Sequence, residues 1–211
     1  MRHHAVVALA AAVAGVFVAV AFRLTDLRQR VSTATAYVSL GCVALSLILG
    51  PLNLLRGRAN PVSSDLRRDL GIWGGVIGLV HVGVGLTVHF RGKMHLYFFP
   101  PPEAHTFLPF RADPFGAANH LGLISGVVLL LLLLVSNDRS LRLLGAAQWK
   151  AWQQLNYVAA ATMFVHGALY QVLEHRQLGF VALFAAVAAV TLAFQTSGIR
   201  ITRAGADPTR P

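Results

Sequence analysis

The chain has 211 residues, 55% of them hydrophobic and only 12% charged, with a mean hydropathy of +0.61. A soluble domain carries about 25% charged residues, so composition excludes an ordinary water-soluble fold. The formal net charge of +10 suggests an anionic partner, but the basic residues are divided between the polar ends of apolar segments. That distribution excludes nucleic acid and points to membrane lipid.

Six apolar segments are long enough to cross a hydrocarbon core of ~30 Å, which takes ~20 helical residues. They lie near 5–22, 33–55, 70–90, 117–136, 152–173 and 178–197. The expected fold is an all-α integral membrane protein, a six-helix bundle forming one domain over 1–211. If both termini share one side, that side holds eleven basic residues: Arg2, Arg56, Arg58, Arg67, Arg68, Arg139, Arg142, Lys150, Arg200, Arg203 and Arg210. The other side holds seven, Arg23, Arg28, Arg30, Arg91, Lys93, Arg111 and Arg176. The excess of positive charge in cytoplasmic loops then puts both termini in the cytoplasm.

The first segment, "MRHHAVVALAAAVAGVFVAVAF", begins like a signal peptide, but its apolar run of about 18 residues exceeds the 7–15 of such a region. It is read as a retained helix. Segment 2 carries the lone Cys42, which excludes an intrachain disulfide and a thiolate cluster and reads as a small packing residue. Pro51 is expected to kink the segment near its inner end. Segment 3 contains glycines at 71, 74, 75, 78, 83 and 85, and its central stretch "GGVIGLVHVGVGL" carries one imidazole, His81. The connection from Arg91 to Gly116 holds three consecutive prolines and is rich in phenylalanine. It is expected to lie at headgroup level on the outer surface.

Segment 4 is nearly featureless and is expected to face lipid. The stretch "SNDRSLRLLGAAQWKAWQQ" is basic and amphipathic, with Trp149 and Trp152 marking the inner interface. Segment 5 again carries one imidazole, His166. Segment 6 is rich in Ala, Val and Phe, and the tail after it is polar. A loose internal echo, arginine and Leu-Gly followed by an imidazole on the next helix, suggests that segments 3 and 5 enter from one side and present equivalent groups.

Ionisable residues in membrane segments are rare and mark functional sites by default. His81 lies eleven residues beyond Leu70, ~16 Å at 1.5 Å per residue, and His166 twelve beyond Gln154, ~18 Å. Two imidazoles at one depth suit the axial positions of a heme iron. Gly74, Gly78 and Gly85 fall within roughly 60° of His81 on a helix and offer bare backbone to a flat ring. Ala159, Thr162 and Gly167 keep the surroundings of His166 small. The bland readings stand beside these: each histidine as an interhelical hydrogen-bond donor, the glycines as close helix packing. No carboxylate or thiol lies at matching depth to complete a zinc or non-heme iron site. His89, His95, His105, His120 and His175 map to the outer side. They either gather a metal ion, with His120 as a candidate ligand, or are ordinary solvated residues.

The stretch "RRDLGIWGGVIGLVH" resembles the Arg-Arg-x-Leu-Gly-x-Trp…His signature of the ferric-reductase-like transmembrane domain. More narrowly it resembles the heme-binding membrane subunit of the bacterial methionine sulfoxide reductase system. "TATAYVSLGCVALSLILGPL" is similar to that family's second helix, and "LLGAAQWKAWQQLNYVAAATMFVH" to its Leu-Gly…Trp…Tyr…His run, with one extra residue before Trp149. The resemblance covers about residues 31–197 and implies a six-helix b-type cytochrome in the bacterial inner membrane. Electrons would pass from the cytoplasmic side or the quinone pool outward to a periplasmic reductase subunit. His81 and His166 match the heme-ligating positions. The family has a further histidine thirteen residues before the second ligand; Gln153 stands there, and glutamine is a poor iron ligand.

The chain has no Gly-x-Gly-x-x-Gly unit after a strand and no soluble flavin or nicotinamide domain. An electron-transfer role therefore needs a donor protein, quinol or bound flavin, and an acceptor. The other function classes are a cofactor-free transporter and a membrane anchor. The lack of Asp and Glu inside the apolar spans weighs against a cation pathway.

Overall fold

The computed structural model describes residues 3–21, 26–57, 65–90, 93–104 and 107–205, and among these every regular element is helical. The helices are α1 (His4–Ala21), α2 (Leu27–Leu55), α3 (Asp65–Gly85), α4 (Pro114–Val135), α5 (Asp138–Gln153), α6 (Leu155–Leu173) and α7 (Leu178–Gly205), with one 3-10 turn at Met94–Tyr97. Four of them, α1, α2, α4 and α7, are both long and apolar enough to cross a membrane. At ~1.5 Å per residue α3 and α6 reach ~31 and ~28 Å. Their glycines, polar ends and histidines dilute the hydropathy that marks the other four.

Local chemistry sets the ends. Asp26 accepts from the Arg28 N–H and starts α2, which runs a turn past Pro51 before Arg56 and Gly57 close it, Gly57 at φ 60°. Asp113 caps α4 through the Gly116 N–H, with Pro114 in the first turn. Both are side-chain acceptors for the free amides of a first turn.

Besides the start of α2 at Leu27 and not 33, the boundaries depart from the apolar pattern in three places. First, α3 lies over 65–85, not 70–90. Tyr97, 1% exposed, donates its hydroxyl to the last carbonyl at Gly85 and accepts from the His89 N–H. The chain is thereby turned away after Gly85. Second, the amphipathic connection before α6 is itself a helix, α5, broken at Gly145 (φ 71°, ψ 162°). Third, α7 continues through Arg200 and Arg203 to Gly205, past the apolar limit at 197.

The most extensive packing is α2 on α3 and α4 on α6, with α7 laid along α2 and α3 bridging to α4. Small and hydroxyl residues bring the pairs together. Ser39 Oγ donates to Gly74 O at 2.7 Å, and Ser125 and Thr162 share a 2.7 Å bond between α4 and α6. The face α4 presents to α6 and α3 holds buried Ala118, Asn119, Ser125, Gly126, Leu129 and Leu132. About a third of this helix is thus buried inside the protein and not lipid-facing surface.

Polar clasps gather at the proximal end, where α3 begins and α4 ends. Arg68 pairs with Asp138 at 2.7 Å and donates to Ser136 O; this contact holds the Asp138 carboxyl below its ordinary range. Asp69, 1% exposed, meets His4 Nε2 at 3.1 Å and the His3 N–H at 3.2 Å, tying α1 to α3. Trp149, expected at the interface, is buried and donates Nε1–H to Val135 O at 2.9 Å. Trp152 remains exposed at 43%.

At the distal end the aromatic connection folds back over the bundle. Phe90, Tyr97 and Phe115 pack with centroids 5.0–5.8 Å apart, and Arg111 lies 4.7 Å from the Phe115 ring centre. Phe99, Phe107 and Phe110 stay exposed. The loop divides between a roof and a surface, where composition pointed to a surface alone.

Candidate functional site

His81 on α3 and His166 on α6 meet. Their ring centroids are 6.2 Å apart with planes at 71°. Each ring is held by a carbonyl of a different helix. His81 Nδ1 lies 2.9 Å from Ser32 O on α2, with Ser32 Oγ at 3.4 Å. His166 Nδ1 lies 2.7 Å from Ala118 O on α4. A carbonyl only accepts, so both Nδ1 atoms carry the proton, and a neutral ring keeps its lone pair on Nε2. Fixing the tautomer through the other ring nitrogen is how a protein prepares an imidazole to bind a metal.

The pair sits off-centre along its helices. His81 stands four residues before Gly85, ~6 Å from the distal end of α3, and His166 seven before Leu173, ~10 Å from that of α6. The sequence placed both just past mid-depth. The difference follows from the register of α3, which starts at Asp65 and stops at Gly85.

Both rings line one cavity between α2, α3, α4 and α6, closed on the α7 side by Phe184, with ≈ 1250 Å³ of non-atom space including its opening to solvent. Of the three glycines singled out on α3, Gly78 and Gly85 line it. Gly74 does not: a Cβ there would stand 3.0 Å from Val43 Cγ2 and 3.2 Å from Cys42 Cβ, so its bare backbone admits α2. Cys42 is buried in that seam. The glycine that the histidine pair needs most is on α4. A Cβ on Gly122 would lie 2.8 Å from both Cε1 and Nδ1 of His166. Its only signal in the sequence is a run of small and polar residues, Asn119, Gly122, Ser125 and Gly126, spaced along one face of a leucine-rich helix.

Tyr170 extends the site distally. Its ring centre is 4.9 Å from that of His166 and its hydroxyl donates to Asn119 Oδ1 at 2.9 Å. At the mouth, His89 Nε2 meets Glu174 Oε1 at 3.1 Å while Gln29 Nε2 donates to Oε2 at 3.1 Å. The hydrogen bond from His89 holds the Glu174 carboxyl below its usual range.

The remaining outer histidines do not join the pair. His120 donates Nδ1–H to Gly116 O at 2.6 Å, one turn back on α4, and packs between Phe98 and Phe110. His175 takes φ 46° in the turn before α7, His95 lies in the 3-10 turn, and His105 is outside the described residues. Among the described residues no three His, Cys, Asp or Glu side chains converge to hold a metal ion, so His120 has no partner set for that role. Gln153 donates to Ser136 Oγ at 3.3 Å, a structural bond at the proximal end.

No protein-family model matches the chain, and a search of curated proteins finds no match. Fold and site define an all-helical protein with membrane-length helices and a paired-imidazole cavity.

Proposed function

We propose that this chain is a membrane b-type cytochrome subunit, carrying electrons through a heme held between His81 and His166. The observation that carries the reading is the pair itself: two rings from separate helices, 6.2 Å apart, each with Nδ1 spent on a carbonyl. Two imidazoles sharing one metal, at about 2 Å per metal–nitrogen bond, place their centroids roughly 6 Å apart. The donor set fits as well, since nitrogen ligands without carboxylate or thiolate suit a porphyrin iron. Gly85 leaves helix backbone bare beside His81 and Gly122 admits the His166 ring, and the aromatic roof of Phe90, Tyr97 and Phe115 limits water at the distal side.

When bound, heme supplies a one-electron couple whose potential is set by its ligands and burial. The chain's own work is to fix both rings, keep their Nε2 lone pairs available and exclude solvent. Six helices, α1, α2, α3, α4, α6 and α7, cross the bacterial inner membrane, with α5 along its cytoplasmic face and both termini in the cytoplasm. The distal end is then periplasmic. Electrons come from a donor protein, quinol or flavin and leave to a periplasmic acceptor such as a reductase subunit.

The same hydrogen bonds serve a cofactor-free transporter or anchor, in which each histidine simply ties two helices. Absorbance separates them. Purified protein from heme-supplemented cells is expected to show a Soret band that shifts on dithionite reduction. His81→Ala and His166→Ala should each lose most of the heme per chain, and His120→Ala should retain it. A colourless wild type, or heme retained in all three variants, overturns the assignment.

A further inference from the structure

Three buried side-chain polar atoms among the described residues have no hydrogen-bond partner: Thr33 Oγ1, Trp73 Nε1 and Gln171 Oε1. Leaving such an atom unpaired costs about 1–3 kcal/mol, and two of the three, on Thr33 and Gln171, belong to residues lining the histidine cavity. Thr33, only 5% exposed, follows directly on Ser32, whose carbonyl holds His81. Arg176 lines the same cavity from the turn before α7. Its guanidinium lies 5.8 Å from the Phe180 ring centre and forms no salt bridge among the described residues, Glu174 being engaged by His89 and Gln29. A half-buried cation against an apolar wall, lining the same cavity as an unsatisfied hydroxyl donor, makes a place for an anion.

We propose that Arg176 and the Thr33 hydroxyl receive a carboxylate of the porphyrin's acidic edge, so that the heme enters with its propionate side toward the distal mouth. This rests on the heme reading above. Thr33 O–H and the Arg176 N–H groups all donate, as an ionised carboxylate requires. Gln171 Oε1 only accepts and is no partner for that anion; a water or a protonated acid satisfies it. A lipid phosphate at the mouth offers Arg176 the same chemistry, and the test distinguishes the two.

The full-length chain, made without heme and purified in detergent, is titrated with iron protoporphyrin IX and with its dimethyl ester. Wild type is expected to bind the free acid on the order of tenfold or more tighter than the ester, the range of a charge-assisted hydrogen bond. Arg176→Lys keeps most of that preference. Arg176→Gln loses it and, having lost a positive charge near the porphyrin, shows a lower midpoint potential in spectroelectrochemistry. Equal affinity of wild type for acid and ester overturns the proposal, whatever the folding of the variants. So does an undiminished preference in Arg176→Gln, which would leave Arg176 to a lipid phosphate or another anion. Failure of wild type to bind either porphyrin instead removes the heme reading itself.

Discussion

A β-carbon at position 122 has nowhere to go: His166 occupies the space at 2.8 Å, and backbone from the same helix holds that ring through Ala118 O. Gly122→Ala is therefore expected to displace the imidazole or push α4 from α6, costing about 1–3 kcal/mol as overpacking does. It should alter the heme spectrum before it prevents folding. Gly83→Ala is the matched control, since nothing lies within 4 Å of a β-carbon there; thermal unfolding in detergent should leave it at or above wild type. At this scale His81 and His166 are legible because an imidazole in an apolar run has no cheap explanation. Gly78 and Gly85 follow from helical spacing. Only the packing reveals that Gly74 and Gly78 also admit other helices, a Cβ at Gly78 meeting Ser39 Oγ and Leu129 Cδ1 at 2.8 Å. Ser32 and Ala118 act through backbone carbonyls, and a carbonyl leaves no mark in the sequence.

Helix α5 shows what an apolar-run reading misses. Its residues read as a basic, amphipathic connection, and they form a helix because Asn137 caps the first turn by accepting from the Ser140 N–H at 2.8 Å. Trp149 then donates to the last carbonyl of α4, that of Val135. The break at Gly145, φ 71° and ψ 162°, is a conformation essentially reserved to glycine and costs other residues about 1–3 kcal/mol. Gly145→Ala should lower the melting temperature and speed protease cleavage within 138–153. Gly71→Ala, with open space and no positive φ, should do neither. An unchanged cleavage rate in Gly145→Ala would mean that α5 bends elsewhere. The shift of α3 has the same character. Hydropathy continues to residue 90, but Tyr97, twelve residues beyond Gly85 in the chain, stops the helix by capping its carbonyl.

For the whole molecule, charge asymmetry and the even number of crossings proposed give a definite orientation. In a Cys42→Ser background, Phe107→Cys places a thiol on the fully exposed distal loop, Phe107 being 101% exposed. In intact bacterial cells it should react with a membrane-impermeant maleimide, while a fluorescent protein fused to the C-terminus, active only in the cytoplasm, should glow. A dark fusion with an unreactive thiol reverses the proposed orientation. The distal position of the histidine pair gives orientation functional weight, since ~24 Å of α3 separates His81 from its proximal end. Electrons reaching the site from the cytoplasm would have to cross that distance.

Composition and apolar length alone determined that this chain is helical and membrane-compatible, because covering ~30 Å of hydrocarbon with paired backbone leaves few other options. The two histidines stood out for the same reason, as polar groups where polarity is costly. Tertiary structure decided that the rings meet, which carbonyls set their tautomers, and that Gly122, not Gly74, makes room for them. Those relations join residues as many as 85 positions apart, His81 and His166, and no local pattern encodes which faces of two helices will be pressed together.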